Sequence, residues 1–245
     1  MRLGIISDIH ANFEALTAVY YDLLDQGFDR IVCLGDVVGY GASPKECIDF
    51  FIDKKIVCLR GNHDTYTIDI GGDWKIQPFA KDVIHWLQST LTTRYIKWLK
   101  NLPFQHLEED IQFVHSSLEA LDGVYWPYIL GTERAHLHFY LQVAMFCFYG
   151  HTHIPLLFEY DSKTIRMNYL QSQTFDLLSS SKYLVNCGSV GQPRDYDKRA
   201  CYVIFDTKTG ELVVRRVEYD FKKAQKRILD AGLPEVLAER LSHGL

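Results

Sequence analysis

The sequence predicts an α/β fold built on two β-sheets, and three observations support this prediction. In the first half of the chain, short continuous apolar runs, typical of strands buried on both faces, alternate with helical patterns. Such alternation favours a largely parallel sheet. The second half is richer in strand patterns, two of them joined by a tight turn, so a second, partly antiparallel sheet is expected. These later strands are predicted at residues 156–160, 164–168, 183–186, 200–206 and 211–218.

Five apolar runs are predicted as buried strands, and each leads into a side chain of a type that binds metal ions. The runs span residues 3–7, 31–34, 56–60, 111–114 and 145–149. In an open α/β sheet the ligand crevice lies outside the carboxyl ends of the strands, so these ends should deliver their polar side chains to one place. Those side chains are Asp8, His10, Asp36, Asn62, His63, His115, His151 and His153.

Helical patterns connect and follow these strands. Residues 12–27 and 44–54 have apolar positions at helical spacing, with glycine and proline at typical helix ends. We predict a helical insert at about residues 65–103 and two closing helices at about residues 221–242. Because no linker, repeat or low-complexity segment interrupts the chain, residues 1–245 are predicted to form a single domain.

The composition is that of an ordinary globular protein, with 47% hydrophobic and 23% charged residues. A net charge of −5 and a pI near 6.0 provide no electrostatic surface for nucleic acid or an anionic membrane, so neither partner is expected. The chain begins with a strand pattern instead of an export signal. Cysteines sit within apolar runs and no Cys-x-x-Cys occurs, which predicts a reduced, cytoplasmic protein without a thiolate metal site.

The donor types after the strands indicate a transition-metal site. Side chains at i and i+2 of an extended segment point the same way, so Asp8 and His10 should face one point, as should His151 and His153. Asp36 can bridge two ions through its two carboxylate oxygens. Imidazole, carboxylate and amide donors without thiolates suit Mn, Fe, Zn or Ni better than Mg or Ca.

In order and spacing, these motifs resemble those of the calcineurin-like metallophosphoesterase superfamily. The resemblance runs from residue 1 to about residue 200 and is greatest to the small, single-domain bacterial and archaeal phosphoesterases. It implies a four-layer α/β/β/α sandwich of two mixed sheets flanked by helices. It also implies two divalent transition-metal ions, with Mn the first choice and Fe, Zn or Ni as alternatives. By the family's roles, metal 1 is held by Asp8, His10, Asp36 and His153, and metal 2 by Asp36, Asn62, His115 and His151.

The resemblance further implies a reaction, the hydrolysis of a phosphoester bond in a small phosphorylated substrate. Two ions roughly 3.5 to 4 Å apart lower the pKa of a shared water toward about 7, and the resulting hydroxide attacks phosphorus in line. We expect His63 to stabilise or protonate the leaving oxygen. The substrate is expected to be a phosphodiester or a nucleotide-type molecule such as a dinucleoside polyphosphate. Asn12, Tyr40 and Arg194 lie beside the motifs and are candidates for substrate contacts, with loop stabilisation as the alternative.

The chain departs from the family pattern at three positions. His115-Ser116-Ser117-Leu118 replaces the frequent His-Gly-Ser/Thr-Pro, and Asn186-Cys187-Gly188-Ser189 replaces Asn-Pro-Gly-Ser. In protein serine/threonine phosphatases and symmetrical dinucleoside tetraphosphatases, an aspartate orients the catalytic histidine and an arginine clamps phosphate. Gly39 and Tyr40 occupy those two positions here, which argues against phosphoprotein phosphatase activity.

A second interpretation is a non-catalytic scaffold or binding protein with the same fold, as in the retromer subunit that resembles these enzymes. That subunit lacks the catalytic histidine. Because His63 is present here and every ligand position is filled, the sequence favours an enzyme. The oligomeric state is left open.

Overall fold

The computed structural model describes residues 1–119, 121–177 and 180–245. Within these ranges, no helix has the length and apolar character needed to span a bilayer. The strands are β1 (Arg2–Ile6), β2 (Arg30–Cys33), β3 (Val57–Cys58), β4 (Gln105–Glu108), β5 (Ile111–Val114), β6 (Phe146–Tyr149), β7 (Leu156–Tyr160), β8 (Ile165–Tyr169), β9 (Thr174–Asp176), β10 (Lys182–Asn186), β11 (Ala200–Asp206) and β12 (Glu211–Val217). The helices are α1 (Phe13–Gln26), α2 (Pro44–Lys54), α3 (Asn62–Ile68), α4 (Pro78–Thr90), α5 (Thr93–Lys100), α6 (Thr132–Leu141), α7 (Phe221–Asp230) and α8 (Glu235–His243).

The strands form two mixed sheets. The first sheet has the order β3-β2-β1-β11-β12-β9, and the second has the order β4-β5-β6-β10-β7-β8. In the first sheet, β1 pairs in parallel with β2 and antiparallel with β11. The first sheet therefore combines strands from both halves of the chain, whereas the sequence patterns placed the late strands in the second sheet. The backbone groups of β1 on the side away from β2 need hydrogen-bonding partners, and β11 provides them.

Alternation along the strands produces the layers. In β1, Leu3 and Ile5 point between the two sheets, where they pack with Phe113 and Phe148 of the second sheet. Ile6 faces the opposite way, into a core formed with α1, α2, α4, α5, α7 and α8. The outer face of the second sheet packs against α6. This arrangement is the predicted four-layer α/β/β/α sandwich, and the fold class is confirmed.

Several elements differ from the sequence patterns. Helix α3 begins at Asn62, inside the Gly-Asn-His-Asp motif, earlier than the insert predicted at about residues 65–103. Helix α6 was not predicted, because its buried positions are few: Ala135, His138 and Phe139. Strands β4 and β9 were also missed; they are short and lie at sheet edges, where alternation is weak.

Removing apolar volume between the sheets should destabilise the protein. Leu3 is fully buried there, so Leu3→Ala should lower the free energy of unfolding by about 2–5 kcal/mol. Leu24 on α1 is 49% exposed, and Leu24→Ala should change it by no more than about 0.5 kcal/mol. Urea unfolding monitored by circular dichroism measures both values. Equal losses from the two variants would contradict the assignment of Leu3 to the inter-sheet core.

A buried histidine should add a pH dependence to folding. His138 is completely buried, and burial lowers its pKa from 6.5 to about 3. Since the unfolded chain binds this proton more tightly, the free energy of unfolding falls as the pH drops below about 6.5. His138→Asn retains an acceptor for the Leu118 N–H and removes the titration. We expect urea unfolding to show a shallower loss of stability toward acid for this variant; an unchanged slope would exclude His138 as a source.

Candidate metal centre

The predicted ligands lie on turns that follow the strands. Asp8, His10, Asp36, His151 and His153 all have positive φ, between 48° and 65°. Non-glycine residues rarely adopt this left-handed region, and each such residue costs on the order of 1–3 kcal/mol unless its surroundings impose it. The argument from extended i and i+2 side chains was therefore wrong about the backbone. It was also wrong for His151 and His153, which belong to different clusters.

Two clusters of potential ligand atoms lie side by side. The first contains Asp8, His10 and His153, and the second contains Asp36, His115 and His151; the atoms within each cluster lie within 4.8 Å of one another. All of these side chains are buried. The structure thus brings together the six carboxylate and imidazole ligands predicted from the sequence, in the two groups that the family's roles imply.

Asp36 connects the two clusters. Its Oδ2 lies 3.7 Å from His10 Nε2 on one side and 3.3 Å from His115 Nε2 on the other. Asn62 Oδ1 lies 3.1 Å from His115 Nε2, so the predicted amide ligand also lies at the second cluster. A third combination, His10, Asp36 and His63, satisfies the same distance limit, so the geometry alone also permits His63 as a ligand.

In each of the four imidazoles of the two clusters, one ring nitrogen is hydrogen-bonded to a main-chain carbonyl oxygen. Such a hydrogen bond fixes the tautomer and aims the remaining lone pair into the cluster, as is typical of histidines that bind metals. The pairs are His10 Nδ1 with Val38 O (3.2 Å), His115 Nδ1 with Leu34 O (3.2 Å), His153 Nδ1 with Gln192 O (2.5 Å) and His151 Nε2 with Trp126 O (3.1 Å).

The electrostatics of the centre favour ionised carboxylates and mostly neutral imidazoles. Burial opposes ionisation of Asp36, but the surrounding histidines hold its pKa well below the usual value. Burial lowers the pKa of His10 and lowers that of His151 to about 3. His115 differs: against the effect of burial, Asp36 raises its pKa to about 9. Deprotonated donors of this kind are the form that binds divalent cations.

A fourth residue of the Gly-Asn-His-Asp motif, Asp64, positions the centre. Its buried carboxylate accepts hydrogen bonds from the main-chain N–H groups of Asp36 (2.8 Å), Gly61 (2.9 Å) and Val38 (3.2 Å). Burial raises the pKa of Asp64 to about 7. The sequence analysis gave Asp64 no role, although an acid three residues after the helix N-cap is a recognisable capping signal.

Two glycines permit the close approach of the ligand turns. A Cβ at Gly61 would lie 2.1 Å from Asp36 Oδ1, and a Cβ at Gly150 would lie 1.9 Å from Ser7 Oγ. Contacts this short are not tolerated by any side chain. Glycine is therefore required at both positions because a neighbouring turn packs closely against it. Glycine also suits the turn in which each residue lies.

The segment from Asn186 to Gln192 donates hydrogen bonds to the turns that carry the predicted ligands. Ser189 Oγ donates to the Asp8 carbonyl at 2.8 Å, and Asn186 Nδ2 donates to the Gly150 carbonyl at 2.6 Å. At another departure from the family pattern, Ser116 Oγ donates to the Pro127 carbonyl at 2.6 Å. That bond ties the turn after His115 to the segment that carries the Trp126 carbonyl.

His63 lies at the edge of the centre. Its ring centroid is 5.0 Å from that of His10 and 4.4 Å from that of Tyr40. Its Nδ1 is buried and has no hydrogen-bond partner within the part of the chain that the structure describes. A Cβ at Gly39 would lie 2.8 Å from this nitrogen, so residue 39 adjoins the unpaired Nδ1 and, being glycine, offers it no side-chain partner. Burial lowers the pKa of His63 to about 4.

A cleft of about 1060 Å³ opens at His63, Asn62 and His151. One part of the lining comes from the helical insert, including Tyr66 and Trp74. Another part of the lining comes from residues 123–126 and Tyr128, a segment that the sequence patterns did not single out. Its Tyr128 ring stacks on the His151 ring with centroids 4.2 Å apart. The cleft therefore joins the ligand clusters to an aromatic lining.

The three candidate substrate contacts differ in their surroundings. Asn12 caps α1: its Oδ1 accepts from the Ala15 N–H at 3.1 Å, and its Nδ2 donates to the Gly191 carbonyl at 2.9 Å. Both polar groups of Asn12 are thus used within the protein, which matches the loop-stabilising alternative. Tyr40 and Arg194 line the cleft, with the guanidinium carbon 5.5 Å from the tyrosine ring centroid.

Comparison with known proteins identifies the class. The model of the calcineurin-like phosphoesterase superfamily domain matches residues 1–210. The chain therefore belongs to this superfamily and is a phosphoesterase hydrolase; the family is metal-dependent. The Asp and His clusters described above are groups that could bind such a metal.

Individual relatives agree with this assignment. An uncharacterized protein from Methanocaldococcus jannaschii is 36% identical over 245 residues, covering 99% of this chain and 98% of that protein. A metallophosphoesterase from Sphaerobacter thermophilus has the same fold, with a TM-score of 0.88 at 36% identity, covering 100% and 99% of the two chains. A shorter match, 30% identical over 126 residues, covers 48% of this chain and 45% of a symmetrical bis(5'-nucleosyl)-tetraphosphatase from Aromatoleum aromaticum.

Replacing Asp64 should disturb the centre without removing a predicted ligand. In Asp64→Asn an amide N–H₂ faces main-chain N–H groups that the carboxylate now accepts, so at least one becomes unsatisfied. We expect the free energy of unfolding to fall by about 1–3 kcal/mol. Asp25→Asn on the exposed face of α1 should change it by less than about 0.5 kcal/mol. Chemical denaturation tests both, and equal stability of the two variants would refute the positioning role.

Proposed function

We propose that this chain is a dinuclear-metal phosphoesterase that hydrolyses a small phosphorylated substrate held in the cleft. The observation that carries the proposal is the placement of Asp36 between two clusters of buried ligand atoms. Metal 1 would be held by Asp8, His10, Asp36 and His153, and metal 2 by Asp36, Asn62, His115 and His151.

The donor set fits divalent transition ions, with Mn the first choice and Fe, Zn or Ni as alternatives. It lacks thiolates and consists of imidazole, carboxylate and amide groups. Ions bound there would polarise the phosphoryl oxygens and activate water for in-line attack. The chain itself presents preset imidazoles and excludes bulk water from the clusters, because all the ligand side chains are buried.

His63 is the proposed catalytic residue beside the leaving group. It lines the cleft and borders His10, yet the family's ligand sets do not require it. The neutral imidazole carries one N–H that can donate to the leaving oxygen. Negative charge on a bound phosphoryl group opposes the effect of burial on the His63 pKa and favours the protonated ring. Arg194 and Tyr40 are proposed to contact the phosphoryl group.

The substrate is proposed to be a phosphodiester or a nucleotide-type molecule, such as a dinucleoside polyphosphate. The aromatic lining of Tyr66, Trp74, Tyr125 and Tyr128 suits a planar group, and the cleft volume suits a small molecule. The partial similarity to a symmetrical bis(5'-nucleosyl)-tetraphosphatase supports the polyphosphate option. The scaffold alternative is not favoured, because the predicted ligands converge and His63 faces the cleft.

The test separates metal binding from turnover. His63→Ala should retain two metal ions per chain and lose about 10²- to 10⁴-fold in turnover of bis(p-nitrophenyl) phosphate with Mn. Asp36→Ala should retain at most one ion, since it removes a donor from both clusters. His136→Ala, at an exposed histidine on α6, is the matched control and should change neither property. Elemental analysis and nitrophenolate release provide the two readouts.

Three outcomes would overturn parts of this proposal. Loss of metal from His63→Ala would make His63 a ligand, as the third cluster permits. Full turnover by that variant would remove its catalytic role. Wild-type protein that binds metal yet hydrolyses neither p-nitrophenyl phosphate nor bis(p-nitrophenyl) phosphate would favour the scaffold.

A further inference from the structure

We propose that Arg240 of α8 binds a second phosphoryl group of the substrate, next to the phosphoryl group that Arg194 is proposed to contact. The enzyme would then prefer substrates with two or more phosphoryl groups over simple phosphodiesters. The inference rests on the proposed phosphoesterase function and names the substrate class for that same cleft.

The first step is the order of side chains along the cleft. The centroid of the Tyr40 ring lies 4.4 Å from that of the His63 ring and 5.5 Å from the guanidinium carbon of Arg194. Arg240 lines the same cleft and lies 5.9 Å from the ring of Phe79, which belongs to the insert. The two arginines therefore provide positive charge beyond His63, on the path from the centre to the insert.

The second step is the way that α8 holds Arg240 in place. Leu237 and Leu241 of the same helix are buried in the core that covers the first sheet. The end of the helix is docked by the Tyr196 N–H, which donates to the Gly244 carbonyl at 2.9 Å. Because Tyr196 is two residues from Arg194, this bond holds the two arginines in a defined relation.

The third step is that neither arginine is paired with an acidic side chain. Arg194 Nη2 donates to the uncharged Gln192 Oε1 at 2.8 Å, and its Nε is buried without a hydrogen-bond partner among the described residues. Arg240 Nε donates to the main-chain oxygen of Leu245 at 2.9 Å. In the described ranges of the chain, no aspartate or glutamate forms an ion pair with either guanidinium. Asp69 and Asp73 also line the cleft, and Asp69 accepts the Trp74 indole N–H.

Two guanidinium groups that share a cleft repel each other when neither forms an ion pair with an aspartate or glutamate. Burial lowers the pKa of Arg240, and the nearby Arg194 lowers it further. A bound phosphoryl group removes this repulsion and can accept paired N–H bonds from a guanidinium, which are among the strongest hydrogen bonds in proteins. One phosphoryl group at the metal clusters leaves Arg240 without a contact of this kind, so a second phosphoryl group is the natural ligand.

Arg240 lies outside the part of the chain that the family model matches, residues 1–210. The family's motifs therefore assign it no role. Its bond to Leu245 offers a purely structural alternative, in which Arg240 only holds the end of the chain. The two explanations differ in what they predict for substrates that share a scissile bond and differ in phosphate number.

The experiment uses a matched pair of substrates and the Mn-loaded full chain. Thymidine 5'-(p-nitrophenyl phosphate) and its 3'-phosphorylated counterpart release the same nitrophenolate, and diadenosine tetraphosphate serves as a polyphosphate probe. Arg240→Gln should raise the KM about 10-fold for at least one of the two substrates with additional phosphate. This factor corresponds to the loss of one charge-assisted hydrogen bond. Its kcat/KM for the single-phosphate ester should stay within about two-fold of wild type.

Two further variants act as controls. Arg240→Lys retains the charge and should recover part of the KM, whereas a group needed only to hold Leu245 would show no such dependence on substrate. Arg94→Gln, at an exposed arginine paired with Asp49 outside the cleft, should leave all the substrates unaffected. Thermal unfolding of each variant measures any loss of stability separately.

The outcomes distinguish the inference from the function on which it rests. Equal effects of Arg240→Gln on all the substrates, or no effect on any, would overturn the role of Arg240 while leaving the phosphoesterase intact. Failure of the wild-type protein to hydrolyse any of the three substrates would instead count against the proposed function. A selective rise in KM for a substrate with additional phosphate would support the inference.

Discussion

The buried carboxylate of Asp36 is the contact on which the centre depends. Its Oδ2 faces His10 and His115, and its Oδ1 accepts a hydrogen bond from the main-chain N–H of His63 at 2.8 Å. The main chain of the same residue accepts the His10 N–H at 2.9 Å, and its own N–H is held by Asp64. One residue therefore sets the relative positions of three turns, and an ionised group at this depth requires the neighbouring imidazoles, or cations, to be stable.

The sheets place those turns at a common edge. In the first sheet β1, β2 and β3 run in parallel, and in the second β5, β6 and β10 do the same. The carboxyl ends of both parallel sets lead into the ligand turns, which is the location expected for a binding site in an α/β protein. Packing the two sheets face to face brings candidate ligand atoms from residues 8 to 153 within 4.8 Å of one another in each cluster. The packing of the two sheets thus determines the geometry of the site.

Local patterns were sufficient to predict two sheets and the convergence of Asp8, His115 and His153, because apolar runs and strand ends are local. The four-layer arrangement came from the resemblance to the superfamily. The sequence was insufficient for the left-handed backbone at Asp8 or His151, which long-range hydrogen bonds such as Ser189 to Asp8 impose. The stacking of Tyr128 on His151 and the approach of Arg240 to the cleft also depend on contacts between distant segments. No local periodicity encodes these contacts.

The pairing of β1 with β11 has a consequence for biosynthesis. Asp8 emerges from the ribosome early, but the strand beside it ends near residue 206, and the serine that holds its carbonyl is residue 189. At about 5–20 residues per second, roughly 10 to 40 seconds separate the two events. During that interval the first ligand turn lacks the hydrogen bonds that maintain its left-handed conformation. The turn that carries Asp8 consequently completes its set of hydrogen bonds only after residue 189 has been synthesised.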